Sequence, residues 1–440
     1  MIRFKNAIAF VALFLAQSQA FAQQPARKVP EVFTLEQCIA FALENQPLIR
    51  QAQIDEAITE STIRSKLADW YPQVNFGYNL QHNFEVQTSV IGGNPVKLGV
   101  DNTSALQFTA SQNLFNRDVL LASRSKNDVR LQAKQATAST KIDVAVQVTK
   151  AFYDIMTTQQ QIRVTDENIN RLERSLKDAQ SRYEAGVTDK TDYKRALIAL
   201  NNTRAARQGY NEALSAKKEY LKTLMGLRPA ESLNISFDTT QLEAQMAVDT
   251  LQRPDYAARI EYRLLETQRR LQEANLKYNK WSFIPNLSLN GAYNLNFQND
   301  QFKKLYGVNY PNAFANVALV WPIFQGGKRT ANIRTAEWQL QRTDVAIENL
   351  ENSVNAEYAQ ALASYKSTLA QYYAVKENLE LAREVYDVID LQYKSGIKTY
   401  LEVITAETDL RTAEINYYDA LYRLLAGKTD VQKALGQINY

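Results

Sequence analysis

One histidine and one cysteine stand in a chain of 440 residues. That scarcity excludes a good deal of chemistry. His82 alone supports neither a His-based triad nor a site of several His and Cys ligands. Cys38 has no partner for an internal disulfide. Its neighbours, LEQCIAFAL, read as the apolar face of a helix, so the thiol is expected to be buried and inert. GGKRT at 326–330 lacks the GxxxxGK[ST] spacing of a phosphate loop, and its glycines read as a strand-to-helix turn. No catalytic, cofactor-binding or metal-ligating set is expected, and no enzyme. Charge of one sign is also missing. With 51 basic and 47 acidic residues the formal charge is +4, too weak a field to point to nucleic acid.

Long apolar runs are absent as well. AIAFVALFLA, preceded by Arg3 and Lys5 and followed by Ala20-Phe21-Ala22, has the three parts of a secretory signal peptide over residues 1–22. Ten apolar residues are too few to span a bilayer as a helix. Cleavage after Ala22 removes Arg3 and Lys5 and lowers the formal charge to +2. Cys38 is not beside that cleavage point, so no lipid anchor is expected. The rest of the chain has no apolar run of roughly 18 residues. Such an exported chain is free in the periplasm, secreted, or inserted as a β-barrel.

Alternation of period two is present in four places. Val74, Phe76, Tyr78, Leu80, His82, Phe84 and Val86 share one face, against Asn75, Gly77, Asn79, Gln81, Asn83, Glu85 and Gln87. Leu106, Phe108, Ala110 and Leu114 form a second apolar face; Leu287, Leu289, Tyr293, Leu295 and Phe297 a third; Val317, Leu319, Trp321 and Ile323 a fourth. The expected strands are 73–90, 102–116, 285–298 and 312–324, paired as two hairpins through the polar loops 91–101 and 299–311. A soluble sandwich edge also alternates. The Asn- and Gln-rich opposite faces instead suit a watery lumen, and Trp70, Tyr71, Phe115, Trp281, Phe283, Trp321 and Phe324 gather near the strand ends as an interfacial girdle does.

Elsewhere the period is seven. Val148, Ile155, Ile162, Ile169, Leu176 and Tyr183 form one series, and Tyr358, Tyr365, Tyr372, Leu379, Tyr386 and Tyr393 another, 210 residues later. Both read as coiled-coil seams. The long helices are expected at 117–184 and 328–394, each about 100 Å long, with returning helices at 189–226 and 399–435. Each half opens with a helix ending in a proline, 47–70 and 254–283, the second longer by about a turn and a half. The domains expected are a first repeat at 23–226, a connector at 227–250 and a second repeat at 251–440. The glycines in RYEAGVTDK and QYKSGIKTY, Gly186 and Gly396, mark the two tight turns.

A strand edge cannot face lipid. Four strands per chain therefore need further copies in a ring. Two copies give eight strands and an interior that side chains fill; three give twelve, wide enough for the wet lumen that the Asn-rich faces favour.

At this point the sequence resembles the TolC-like outer membrane efflux proteins, the outer ducts of tripartite export systems. FTLEQCIAFALENQP (33–47) is similar to the family's opening motif, with Gln46 where Asn is usual. NLFN (113–116) and WPIFQGGKR (321–329) resemble its strand-to-helix junctions, and RYEAGVTDKTDY and QYKSGIKTYLEVITAETDL its periplasmic turns. The resemblance implies a mixed α+β, mostly α, internally duplicated chain. Three copies would form a channel-tunnel, with a periplasmic α-barrel of coiled-coil helices under a 12-stranded transmembrane β-barrel. It implies a Gram-negative outer membrane location, a homotrimer, a periplasmic adaptor (membrane fusion) protein, and an inner-membrane pump of RND, ABC or MFS type. The cargo expected is small molecules or drugs, with a type I protein secretion duct as the alternative. A periplasmic coiled-coil scaffold would explain the helices but not the hairpins.

The resemblance also names an entrance. Asp192 and Glu402, each six residues past its glycine, stand where the family carries acidic groups facing the pore; the usual second acid is Thr405 here. Tyr393 and Lys398 stand where an aromatic and a basic residue hold the entrance closed, although Tyr393 also continues its heptad series. The turns Gly186-Val187-Thr188 and Gly396-Ile397-Lys398 are the expected adaptor-docking surface. Simpler roles exist for the acids, since carboxylates near a helix start are favoured by the helix dipole.

Overall fold

The computed structural model describes residues 30–438; the expected signal segment lies outside them. The chain opens with α1 (Leu35–Asn45) and α2 (Pro47–Ala68). Thr34 and Gln37 form a capping box at the start of α1, and Pro47 opens α2, where a missing N–H costs nothing. Cys38 is fully buried, and burial pushes its thiol up to about 12. Then come β1 (Gln73–His82), β2 (Thr88–Ile91), β3 (Asn94–Lys97) and β4 (Asn102–Phe115). The helices α3 (Arg117–Glu184) and α4 (Lys190–Met225) complete the first half.

A connector carrying the short α5 (Thr239–Ala244) leads to α6 (Ile260–Lys280), β5 (Asn286–Asn299), β6 (Asn309–Val320), α7 (Lys328–Lys394) and α8 (Tyr400–Ala434). The two long helices have 68 and 67 residues, about 100 Å each. Each folds back on its returning helix, α3 on α4 and α7 on α8. α3 also lies against α2, α6 and α8, so the two halves form one body. Among the described residues no helix is long and apolar enough to cross a membrane.

The sheet is antiparallel in the order β1-β4-β5-β6. Its register stacks the expected apolar positions in rows: Phe76 opposes Phe108, Phe108 opposes Tyr293, and Tyr293 opposes Ala313. On the other face Gly77, Gln107, Asn294 and Asn312 form a polar row, with Asn294 donating to Asn312 at 2.7 Å. β1 and β6 are the two edges, with no partner strand among the described residues.

The NLFN junction works residue by residue. Asn113 donates to the Asp69 carbonyl at 2.9 Å, Leu114 falls in a bulge, and the Asn116 side chain caps α3 at the Asp118 N–H, 2.7 Å away. In the second half Arg329 holds the Pro322 carbonyl at 2.7 Å and Gly327 starts α7.

Several boundaries differ from expectation. The strand expected at 73–90 ends at His82. Asn83 instead donates its N–H to the Asp101 carbonyl, and 88–91 pairs with 94–97 in a separate hairpin, turned by Gly92 and Gly93 with φ of 62° and 87°. Two consecutive positive φ values suit a two-residue hairpin turn. The strand expected at 312–324 runs 309–320, because Pro322 cannot donate to the ladder. The loop expected at 299–311 holds a 3-10 turn, Phe302–Gly307, that buries Leu305 completely. The helix expected at 254–283 is 21 residues against 22 for α2, so it is not the longer of the two. Extended backbone at Arg259 and 3-10 turns at both ends confine it.

The largest core is a belt around the middle of the long helices. Phe33, Val148, Ile155, Leu221, Tyr365, Tyr372 and Leu421 belong to it. The connector completes this belt: the Tyr365 hydroxyl donates to the Met246 carbonyl at 2.9 Å, and Lys376 pairs with Glu243 at 3.0 Å. Further along α3 the buried positions include Val164, Thr165, Asn168, Leu172 and Ala179, while Ile162, Ile169 and Leu176 are half-buried. α3 meets both α4 and α8 there, so a second stripe is covered besides the heptad one.

Candidate functional site

The far end of the helices, opposite the sheet, holds both turns. Gly186 and Gly396 have φ of 74° and 78°. In each, the N–H after the glycine reaches back five residues, Val187 to the Arg182 carbonyl and Ile397 to the Gln392 carbonyl, both at 2.9 Å. These closures satisfy helix-end carbonyls and need a left-handed residue at the glycine, which an L side chain resists. Val187 and Ile397 project into solvent, 69% and 73% exposed. Thr188 and Lys398 complete the two turns before Asp189 and Thr399 cap the returning helices.

The four expected entrance residues fall in three places. Glu402 and Lys398 form a pair, Nζ to Oε1 at 2.6 Å, within one turn. Glu402 also accepts from the Thr399 N–H and hydroxyl, both at 2.9 Å, as the second member of a capping box. The Lys398 ammonium, helped by Thr399, holds the Glu402 carboxyl down to about 2. Asp192 occupies the matching place at the start of α4, 3.9 Å from Arg195. Thr405 bonds its own helix, donating to the Leu401 carbonyl.

Tyr393 belongs to a different cluster. Its hydroxyl donates to Asp178 on α3 at 3.3 Å, and the Arg182 guanidinium lies 4.7 Å from its ring centre. Arg182 and Asp178 are themselves paired at 3.0 Å. The ring also meets Tyr400 at 6.0 Å, and burial pushes the Tyr393 hydroxyl up. The cluster ties α3 to α7 and α8 just behind the turns. Sequence reasoning missed Asp178 and Arg182. Their spacing of four marks a helix pair, but nothing marks their contact with a residue 215 positions away.

One to two turns further in, Glu407 is 2% exposed. It accepts from Asn168 at 2.9 Å and faces Arg171 at 3.4 Å. Burial pushes its carboxyl up to about 7 despite the cation. Glu414, 8% exposed, shares Arg171 at 3.9 Å, and burial raises its carboxyl too. No local motif marks these buried acids; only the packing of α8 on α3 reveals them. Among the described residues no cluster of His, Cys, Asp and Glu is placed to hold a metal ion.

The chain so described, a four-stranded sheet with two open edges set on helices about 100 Å long, was compared with known proteins. The family model described as "Outer membrane efflux protein" matches residues 39–227 and 261–437. The chain belongs to this family. It is thus a relative of outer membrane channel proteins of efflux systems and not of enzymes. It is 20% identical to the outer membrane protein TolC of Vibrio cholerae, over 90% of this chain and 89% of TolC. It is 23% identical to a probable efflux pump outer membrane protein, TtgC, of Pseudomonas putida, over 91% of this chain and 82% of that one. The open-state structure of the Neisseria gonorrhoeae MtrE outer membrane channel superimposes with a TM-score of 0.72 at 20% identity, covering 91% and 88% of the two chains. The fold is therefore that of the outer membrane tunnel channels.

Proposed function

We propose that three copies of this chain form a passive duct from periplasm to exterior, fed by an inner-membrane pump through a periplasmic adaptor. The observation that carries this is the four-stranded sheet with open edges at β1 and β6. Those edges hold unpaired backbone groups, which lipid cannot satisfy. Three copies, pairing β1 of one with β6 of the next, give a closed ring of 12 strands around the Asn-rich face. The 68- and 67-residue helices then continue the ring as a periplasmic tunnel. The two halves are read as a duplication, an exported signal segment as the route out, and small molecules or drugs as the cargo; the description of TtgC as an efflux pump outer membrane protein favours efflux over protein secretion.

The turns at Gly186-Val187-Thr188 and Gly396-Ile397-Lys398 are the docking surface for the adaptor. Asp192 and Glu402 face the constriction, and Tyr393 and Lys398 help hold it closed. An outer-membrane fraction run unheated and heated on a gel tests the assembly: a heat-modifiable trimer band is expected, and a purely soluble monomer overturns it. Photo-crosslinkers at Val187 and Ile397 in cells should capture an adaptor, and their failure to capture any periplasmic partner would remove the docking assignment.

A further inference from the structure

Close to the sheet, α2, α3 and α6 line an open cavity of about 660 Å³, with Ile58 at its mouth 56% exposed. That is the size of a small-molecule site. Its wall is mostly apolar, built from Ile58, Ile63, Leu121, Val129 and Leu271. It is elongated along the helices. The lining runs from Ile58 to Lys66 on α2 and from Asp118 to Val129 on α3, about 12 and 16 Å of helix. α3 packs between α2 and α6, and all three helices that line the cavity belong to one chain; α2 is the outer helix of that layer.

The charges around it are uneven. Three charged side chains line it: Lys66, Asp118 and Lys126. Asp118 already receives the Tyr278 hydroxyl. Lys66 and Lys126 form no salt bridge among the described residues. Ser125, also in the lining, is 8% exposed, and its hydroxyl makes no hydrogen bond within the chain. An apolar slot with two free ammonium groups and a spare hydroxyl suits an elongated apolar body carrying one negative charge.

We propose that this cavity is a binding site for a fatty-acid-like monoanion, an unbranched apolar chain ending in a carboxylate. The chain lies along α3 between Ile58 and Leu271, and Lys66 and Lys126 supply the charge complement. This goes beyond the duct itself, because the site is in the wall of one chain.

Photoaffinity labelling of the full-length protein in nanodiscs tests it. The probe is a 16-carbon fatty acid with a diazirine in the chain, and the control is its methyl ester. Adducts are expected on peptides spanning 58–66 and 118–129. The ester should label roughly tenfold less, as loss of one charge-assisted contact implies. Lys66→Gln and Lys126→Gln together should reduce acid labelling to the ester's level without disturbing the packing. Ala122→Trp, which fills the slot, should abolish it while the heat-modifiable band persists. Equal labelling by acid and ester, or adducts confined to the strands, overturns the proposal. So does undiminished labelling in the double lysine variant.

Discussion

Replacing Glu407 with glutamine should flatten the pH dependence of the helical tip. The carboxyl is 2% exposed, and burial lifts it from an ordinary 4.5 to about 7. A carboxyl with a raised folded value binds its proton more tightly in the folded chain than in the unfolded one. Its contribution is therefore most favourable below about pH 4.5 and is lost as pH rises through about 7. At about 1.4 kcal/mol per pH unit, the whole window is worth about 3 kcal/mol per chain. Between pH 8 and pH 6 the gain is about 1 kcal/mol, on the order of tenfold in a local opening constant.

The amide introduced by Glu407→Gln would keep an acceptor for Asn168 and Arg171 but carry no titrating proton. Hydrogen exchange of peptides across 400–414, corrected for the intrinsic pH dependence of exchange, reads this directly. Wild type should gain about tenfold in protection from pH 8 to pH 6, and Glu407→Gln should keep only the smaller part due to Glu414, whose carboxyl is raised in the same direction. An equal gain in both proteins would refute the assignment of the proton to Glu407.

The two turns make a sharp contrast available. Gly396→Ala, at φ 78°, should destabilise the tip by about 1–2 kcal/mol. Gly209→Ala, inside α4 with nothing near a new Cβ, should stabilise by about 0.5–1 kcal/mol in the same exchange measurement. Tyr393→Phe removes only the hydroxyl bond to Asp178 and should cost about 1 kcal/mol in exchange at 385–400. Arg182→Ala, which loses both the ring contact and the ion pair, should cost more, and the reverse order would refute the cluster. Glu402→Gln should weaken block by multivalent cations in planar bilayers. Because Lys398 and Thr399 hold the Glu402 carboxyl at about 2, wild-type block should not change between pH 4 and pH 8; unchanged block in the variant sinks the acidic ring.

Period-two and period-seven patterns in the sequence determined most of the elements, because side-chain alternation and helical stripes are local consequences of backbone geometry. The long helices fall at 117–184 and 328–394 as the pattern and the glycine turns require. Local pattern failed where long-range pairing decides. Alternation continues through Phe84 and Val86, yet the ladder stops at His82, since a strand exists only as far as its neighbour reaches. Glu402 was legible as a helix-start acid because its contacts, to Lys398 and Thr399, span four residues or fewer.

Tyr393 was legible as an entrance residue or a seam residue, but its contacts with Asp178 and Arg182 exist only because α3 lies beside it. The raised carboxyls of Glu407 and Glu414 exist only because α8 packs on α3 and removes water. The cavity by the sheet needs α2, α3 and α6 from both halves of the chain. Sequence sets which face of each element is apolar. Tertiary structure alone decides which charges that packing strips of solvent.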